Sequence, residues 1–238
     1  MNDSSLSIVI PIYNEQESIS EVIHDIAETV PTYFDNYEII AVNDGSTDNT
    51  SQILQEISQR VPTLKIVNSE KNKGFGVALF EGLKVASKEF SAYVPGDGQF
   101  LISDMRHCLE LLEGNDLILG YRGGRSDYTV RRIVMSYGYL TLLTLLFGLR
   151  YMDVGWVHIW RTSKLRELKL KPTRGIFVLT EVVVLFERNG WNIAEGPSYY
   201  HPRIGGKAKN VKISVVIDTF VQAIRLFFRL SERFPGKH

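Results

Sequence analysis

From Leu6 to Arg122 the chain alternates short, β-branched apolar runs with longer stretches in which apolar residues recur every three or four positions. The first run, LSIVIPI, predicts a strand, and EQESISEVIHDIAETV after it puts Ile19, Val22, Ile23 and Ile26 on one helical face. YEIIAVN, TLKIVNS, FSAYVP and DLILGYR repeat the strand signature. Between them STDNTSQILQEISQRV, GFGVALFEGLKVAS and ISDMRHCLELLE read as helices, the first with Ser46 or Thr47 as its cap. Strands alternating with helices of this length predict an α/β fold with a mostly parallel, helix-covered sheet.

The second half breaks that rhythm. No strand–helix alternation is evident between Arg122 and Leu170, whereas FVLTEVVVLFERNG predicts a helix and NIAEGPSYY a strand. Ile133 to Leu149, IVMSYGYLTLLTLLFGL, carries no charge but holds Ser136, Thr141, Thr144 and two glycines. A bilayer span takes roughly 20 apolar residues, so a buried or membrane-skimming helix is expected instead. HPRIGGKAKNVK is a basic, glycine-containing loop. The last segment, KISVVIDTFVQAIRLFFRLSERF, places Ile213, Val216, Ile217, Phe220, Ile224 and Phe227 on one face, with Lys212, Arg225 and Arg229 off it. That pattern suits a helix lying on a membrane with its arginines among headgroups, and equally one closing the core. The boundaries are set at 1–210 for a main domain, split into 1–121 and 122–210, with 211–238 as an amphipathic helix and tail.

Composition narrows the partners. The 238 residues are 44% hydrophobic, enough for one sizeable core, and the formal net charge is zero. No global electrostatic argument for nucleic acid follows. The only cysteine, Cys108, leaves no intrachain disulfide and agrees with a reducing compartment. MNDSSLSIVIPIYNE runs almost directly into a strand, so no secretory leader is expected.

Chemistry gathers where the predicted strands end. Strand one ends in Pro11, Tyr13, Asn14 and Glu15, strand two in NDGSTD, and strand three leads to NKGFG. The fourth ends in PGDGQ and the fifth in GYRGGR. Turn formers alone would supply some of this. All five on one rim point to a binding crevice, because ligands of parallel α/β sheets bind beyond the carboxyl ends of the strands. A dinucleotide fingerprint would need a glycine cluster directly after the first strand, which IPIYNE lacks.

The ordered set SIVIPIYNE, VNDGSTDNT, NKGFGVALFEGLKVA, PGDGQF, GYRGG, VRRIVMS, TEVVVLFERNGWNIAEGP and HPRIGGKAK resembles the family-2 glycosyltransferases of the GT-A fold, in particular the dolichol-phosphate mannose synthase group. The resemblance spans about Ser7 to Lys209 and implies a GT-A, Rossmann-like sheet with amphipathic and apolar helices in the second half. It also implies roles. Pro11, Tyr13 and Glu15 would line a nucleotide-diphosphate sugar. Asp44, an acceptor-only group, would take hydrogen bonds from base or ribose. Lys73 would help hold the diphosphate, and Gly74 would let backbone approach it.

At the fourth strand end the family pattern is Asp-x-Asp, with a Gln two residues on. Here Pro95 stands at the first acidic position, Asp97 at the second, and Gln99 follows. Mg²⁺ commonly takes only one or two carboxylates together with phosphate oxygens and water. The expectation is a reduced site for Mg²⁺ or Mn²⁺ with Asp97 as ligand and Gln99 adding a carbonyl; the alternative is a turn that binds no metal. On the acceptor side a polyprenyl phosphate is already anionic and needs cations rather than a base. Arg122, Arg131, Arg132, Ser136, Arg203, Lys207 and Lys209 are the candidates, with Asp97, Arg131 and Arg203 expected to matter most for transfer.

One departure from the pattern leaves the acceptor open. Asp153 is followed by Trp156, Val157 and His158 where a small residue, Gly, an aromatic and Arg are usual. His158, Asp153 or Glu181 could serve as base toward a sugar hydroxyl. Trp156 and Trp160 could stack on sugar or sit in the core. The leading expectation is an inverting transferase at the cytoplasmic membrane face, held there through the Ile133–Leu149 region and the last helix or through a partner, with a membrane protein or a second copy of the chain as candidate partners. A transferase acting on a glycan hydroxyl, or a nucleotide-binding relative without catalysis, remain the alternatives.

Overall fold

The computed structural model describes residues 4–123, 130–168, 170, 173–201 and 213–233. The chain runs β1 (Leu6–Ile12), α1 (Ile19–Thr29), β2 (Tyr37–Asn43), α2 (Thr50–Ser58), β3 (Leu64–Asn68), α3 (Phe75–Val85), β4 (Phe90–Tyr93), α4 (Arg106–Glu110), β5 (Leu117–Gly123) and α5 (Val130–Phe147). It continues through β6 (His158–Arg161), α6 (Thr162–Glu167), α7 (Phe177–Arg188), β7 (Ile193–Tyr199) and α8 (Ile213–Arg233). One seven-stranded sheet, in the order β3-β2-β1-β4-β6-β5-β7, takes strands from both halves of the chain. Only β6 runs against the rest, pairing antiparallel with both β4 and β5.

The alternating strand residues divide the core. Ile8, Ile10, Ile39 and Ala41 face α1, α2 and α4, while Val9, Ile40 and Val42 face the side covered by α3, α5, α7 and α8. Burying each of these larger aliphatic side chains stabilises the fold by about 1.5–3 kcal/mol. α3 lies very close to the sheet: a Cβ on Gly82 would come within 2.3 Å of Val9 Cγ1. The expectation of an α/β fold with a mostly parallel, helix-covered sheet therefore holds.

Local differences have physical causes. β6 was not evident from HIWR because four residues, buried for most of their length, show no alternation to read. α2 starts at Thr50, and Asp48 Oδ1 accepts the Thr50 N–H (3.0 Å). Ser46 and Thr47 are not its cap. They bond across to Asn14 instead, Ser46 Oγ accepting its N–H (3.0 Å) and Thr47 donating its N–H to Asn14 Oδ1 (2.8 Å). ISDMRHCLELLE divides into a 3-10 turn, Ile102–Met105, and the short α4. Asp25 Oδ2 takes the Ile102 N–H at 2.6 Å and so fixes that turn from another element.

α8 also differs from its expected face. Among its described residues Ala223, Leu226 and Leu230 are the buried ones, whereas Ile217 and Ile224 are exposed. The side chains of Ile213 and Val216 lie outside the described residues. α8 packs beside α5 in the same direction, with Tyr139 against Phe220 (ring centroids 5.3 Å) and Phe147 against Phe227 (6.1 Å). Arg229 pairs with Glu181 of α7, and the Tyr139 hydroxyl donates to Thr180 Oγ1 (3.0 Å). Among the described residues no helix is long and apolar enough to cross a membrane.

Candidate functional site

The parallel strands bring Ile12, Asn43 and Asn68 into one row, and the loops that follow them form one side of the rim. Asn14 sits in the left-handed region (φ 55°), which a short amide side chain tolerates. Its backbone N–H and side-chain carbonyl reach Ser46 and Thr47, and the Glu15 N–H reaches Thr50 Oγ1 (3.0 Å). Pro11, Tyr13 and Glu15 are half-buried along this loop.

Asp44 is the hub of the next loop. It is 3% exposed, and its two carboxylate oxygens accept the N–H groups of Lys73 and Gly74, each at 2.8 Å. A buried carboxylate needs such donors, and two backbone N–H groups meet most of that need. The Lys73 ammonium turns to Glu81 (2.8 Å), whose other oxygen accepts from Ser69 (3.0 Å). Hydrogen bonding to Glu81 raises the Lys73 pKa, and the same bond lowers that of Glu81. Gly74 opens α3 at φ 97°, a backbone angle that favours glycine.

The PGDGQ turn follows β4. Pro95 is buried, so the first acidic position of the family pattern lies inside the protein, while Asp97 is half-buried at the rim. Ser18 donates to the Gly96 carbonyl (2.8 Å), and Asp97 Oδ1 accepts the Gln99 N–H (3.2 Å). The Gln99 side-chain amide donates to the Tyr200 hydroxyl (2.6 Å), which leaves its carbonyl oxygen for another partner. Among the described residues no group of three or more His, Cys, Asp or Glu could hold a metal ion. Asp97 and Gln99 thus fit a divalent cation that brings its remaining ligands from a nucleotide's phosphates, not one caged by protein alone.

The opposite wall is aromatic and charged. Arg122 Nε donates to Asp153 Oδ2 (2.7 Å) and its Nη2 to Asp153 Oδ1 (3.1 Å), a two-pronged pair lying over Trp156 (4.9 Å). The Trp156 indole N–H donates to Ser198 Oγ (3.1 Å), and its rings meet Phe100 and Tyr200. Trp156 and Trp160 both belong to the core. The His201 backbone N–H donates to the Gln99 backbone carbonyl (2.9 Å), and its imidazole Nε2 pairs with Asp104 (2.6 Å). Tyr200 and His201 were not named as site residues from sequence, although His201 opens HPRIGGKAK and Tyr200 directly precedes it.

The remaining candidates separate. Arg131 is exposed and Ser136 half-buried on α5. The side chain of Arg132, together with Arg203, Lys207 and Lys209, lies outside the described residues. The three potential bases are all withdrawn. His158 is fully buried, and burial drives its pKa down to about 4; it packs edge-on to Trp160 (5.4 Å). Asp153 is engaged by Arg122 and Glu181 by Arg229.

The model of glycosyl transferase family 2 matches residues 7–174. A dodecaprenyl-phosphate galacturonate synthase from Rhizobium johnstonii is 28% identical over 97% of this chain and 69% of its own length. A dolichol-phosphate mannosyltransferase from Pyrococcus furiosus is 29% identical over 75% of this chain and 47% of its own length, so the chain spans about half of that relative. Among solved structures, glucosyl-3-phosphoglycerate synthase from Mycobacterium tuberculosis, in complex with Mn²⁺, UDP-glucose and phosphoglyceric acid, superposes with a TM-score of 0.70. Its identity is 19%, covering 94% of this chain and 80% of that one, which speaks for the fold. With the family model matching well over half of its length, the chain belongs to glycosyl transferase family 2 and is a glycosyltransferase.

Proposed function

We propose that the protein moves a sugar from a nucleotide-diphosphate donor to a polyprenyl phosphate, with inversion at the anomeric carbon. The observation that carries this reading is the withdrawal of Asp153, Glu181 and His158 from base chemistry, beside a rim equipped for a nucleotide. A sugar hydroxyl needs a base to remove its proton. A phosphate monoester is anionic at neutral pH and attacks without one. The two relatives named above share a polyprenyl-phosphate acceptor while differing in sugar, which supports the acceptor class and leaves the sugar open.

In this reading the phosphate oxygen of the acceptor attacks the anomeric carbon in line, and the bond from that carbon to the donor diphosphate breaks. Negative charge builds on the departing nucleoside diphosphate. A divalent cation held at Asp97, with Gln99 adding its carbonyl, would disperse that charge. Asp44 holds the 73–74 backbone in place for the donor, and Pro11, Tyr13 and Glu15 line the nucleotide. Arg131 and Ser136 would meet the acceptor phosphate from α5, with Arg203, Lys207 and Lys209 from the basic loop. Arg122, paired with Asp153, would border the acceptor phosphate.

The acceptor also requires a lipid surface. Val130, Val134, Tyr137 and Leu145 on α5, with Ile217, Ile224 and Phe228 on α8, form exposed apolar faces on neighbouring helices. Arg131, Arg225 and Arg229 are exposed on the same two helices. That combination fits peripheral docking on an anionic membrane at its cytoplasmic face.

Nucleotide-sugar panels with and without polyprenyl phosphate test the reaction. Nucleoside diphosphate release that depends on the lipid phosphate and on Mg²⁺ or Mn²⁺ is expected. Turnover with glycan acceptors alone, or none with any donor, would reject it.

A further inference from the structure

The segment 173–176, just before α7, lies directly across the donor loop. A Cβ on Gly74 would come within 2.7 Å of the Arg174 carbonyl oxygen, and one on Gly76 within 2.2 Å of the Thr173 carbonyl and 2.7 Å of that of Gly175. The Gly76 N–H points to the Arg174 carbonyl (3.4 Å). Backbone is therefore packed on backbone at the start of α3. Phe75, the next residue, meets Tyr93 edge-on at 5.1 Å, and Tyr93 ends the strand that leads to Asp97. The crossing is thus continuous with both parts of the proposed donor site.

Cations at this crossing are unequally committed. Lys73, the residue given to the diphosphate by the family pattern, has its ammonium on Glu81 (2.8 Å). Its charge is largely answered before any nucleotide arrives. Arg174 is exposed, and its guanidinium meets the neutral side chain of Asn72 (Nη2 to Oδ1, 3.3 Å). Among the described residues it faces no carboxylate within ion-pair distance. Guanidinium matches phosphate geometry with two parallel N–H groups, and its charge does not titrate away.

We propose that Arg174 is a donor-site residue that binds the diphosphate of the nucleotide, its backbone fixed over Gly74 and Gly76 and its guanidinium steered by Asn72. This rests on the donor reading above and deepens it. Lys73 then holds the loop to α3 through Glu81 instead of carrying the phosphate charge alone. The arrangement also explains the two glycines at 74 and 76 without reference to ligand: any side chain there would lift the segment bearing Arg174 off the loop.

The test compares binding of a nucleoside diphosphate with that of its parent nucleoside, by calorimetry with Mn²⁺ present and no acceptor. Wild-type protein should prefer the diphosphate strongly. Arg174→Gln should weaken diphosphate binding about 10- to 100-fold, the range for loss of a charge-assisted pair, and leave nucleoside binding unchanged. Arg174→Lys should recover part of the loss. Arg174 is exposed, so both variants should unfold at the wild-type temperature. Diphosphate affinity unchanged in Arg174→Gln, or an equal drop for both ligands, overturns the assignment while leaving the donor site standing. A wild-type protein that binds no nucleoside diphosphate overturns the donor reading and the assignment together.

Discussion

The two sides of the rim are held by different means. On the donor side, side-chain oxygens of neighbouring loops cap each other's backbone N–H groups: Asp44 on 73–74, Asn14 on 47, Ser46 on 14 and Thr50 on 15. On the acceptor side, order comes from large side chains meeting one another, such as Trp156 with Tyr200 and Arg229 with Glu181. The first arrangement fixes atoms before substrate arrives, as leaving-group stabilisation requires. The second builds a wall and a set of helices whose outer faces stay apolar and open to a surface.

The largest expected effect lies where the two sides meet. Asp97→Ala should lower turnover by about 10³-fold or more, because nothing else in the turn supplies a carboxylate to a cation. The fold should survive, since Asp97 is half-buried at the rim and not part of the core. Full activity of that variant, or of wild type in chelator, would remove the metal from the reaction. Next comes Asp44→Ala, which strands the Lys73 and Gly74 N–H groups. A loss of about 2–3 kcal/mol of stability and a weaker nucleotide complex should appear together. Stability lost without any change in nucleotide affinity would separate the hub from the donor site.

These two residues also show what the sequence made legible. The donor loops stand out because they join carboxylate, amide and hydroxyl oxygens of turn-forming residues to backbone N–H groups, at strand ends that periodicity locates well. Asp97 is readable for the same reason. That Asp44 spends both oxygens on the protein is not, because the partners lie 29 and 30 residues away. β6 hides because a short strand buried for most of its length has no polar alternation. α8 misleads because its apolar arc is wider than the face it buries, so periodicity cannot separate the packed sector from the open one. Arg174 carries no motif at all, and only the contact with Gly74 and Gly76 singles it out.

A smaller effect should mark the acceptor helices. Val134→Glu or Leu145→Glu on α5, and Phe228→Glu on α8, each place a charge on a surface-exposed apolar position. Each should weaken binding to anionic vesicles about tenfold while unfolding temperature and nucleotide affinity hold. Vesicle binding unaffected by all three would mean that another surface, or a partner, meets the membrane. Arg229→Ala acts on the same helices from inside. It leaves Glu181, 7% exposed, without its cation and should cost about 1–2 kcal/mol, since Arg229 itself is half in solvent.

A pH-dependent effect sits at the other end of the donor-side strands, where Glu38 is 3% exposed. It accepts from the Ser7 hydroxyl (2.6 Å), the Lys65 ammonium (2.6 Å) and the Ser87 N–H (2.6 Å). Burial alone would raise its pKa; the bonds to Lys65, Ser7 and Ser87 more than reverse this and bring it to about 2. A carboxyl held below its ordinary 4.5 binds fewer protons folded than unfolded, so it stabilises the fold above that pH. The contribution should fade as pH falls from about 4.5 toward 2. Glu38→Gln removes it at every pH. The difference in unfolding temperature between wild type and variant should therefore be constant near neutrality and shrink through that acidic window. A difference that stays flat down to pH 2 would mean that Glu38 contributes shape and not charge. The charge-assisted order of the donor half would then rest on Asp44 and on the Lys73–Glu81 pair.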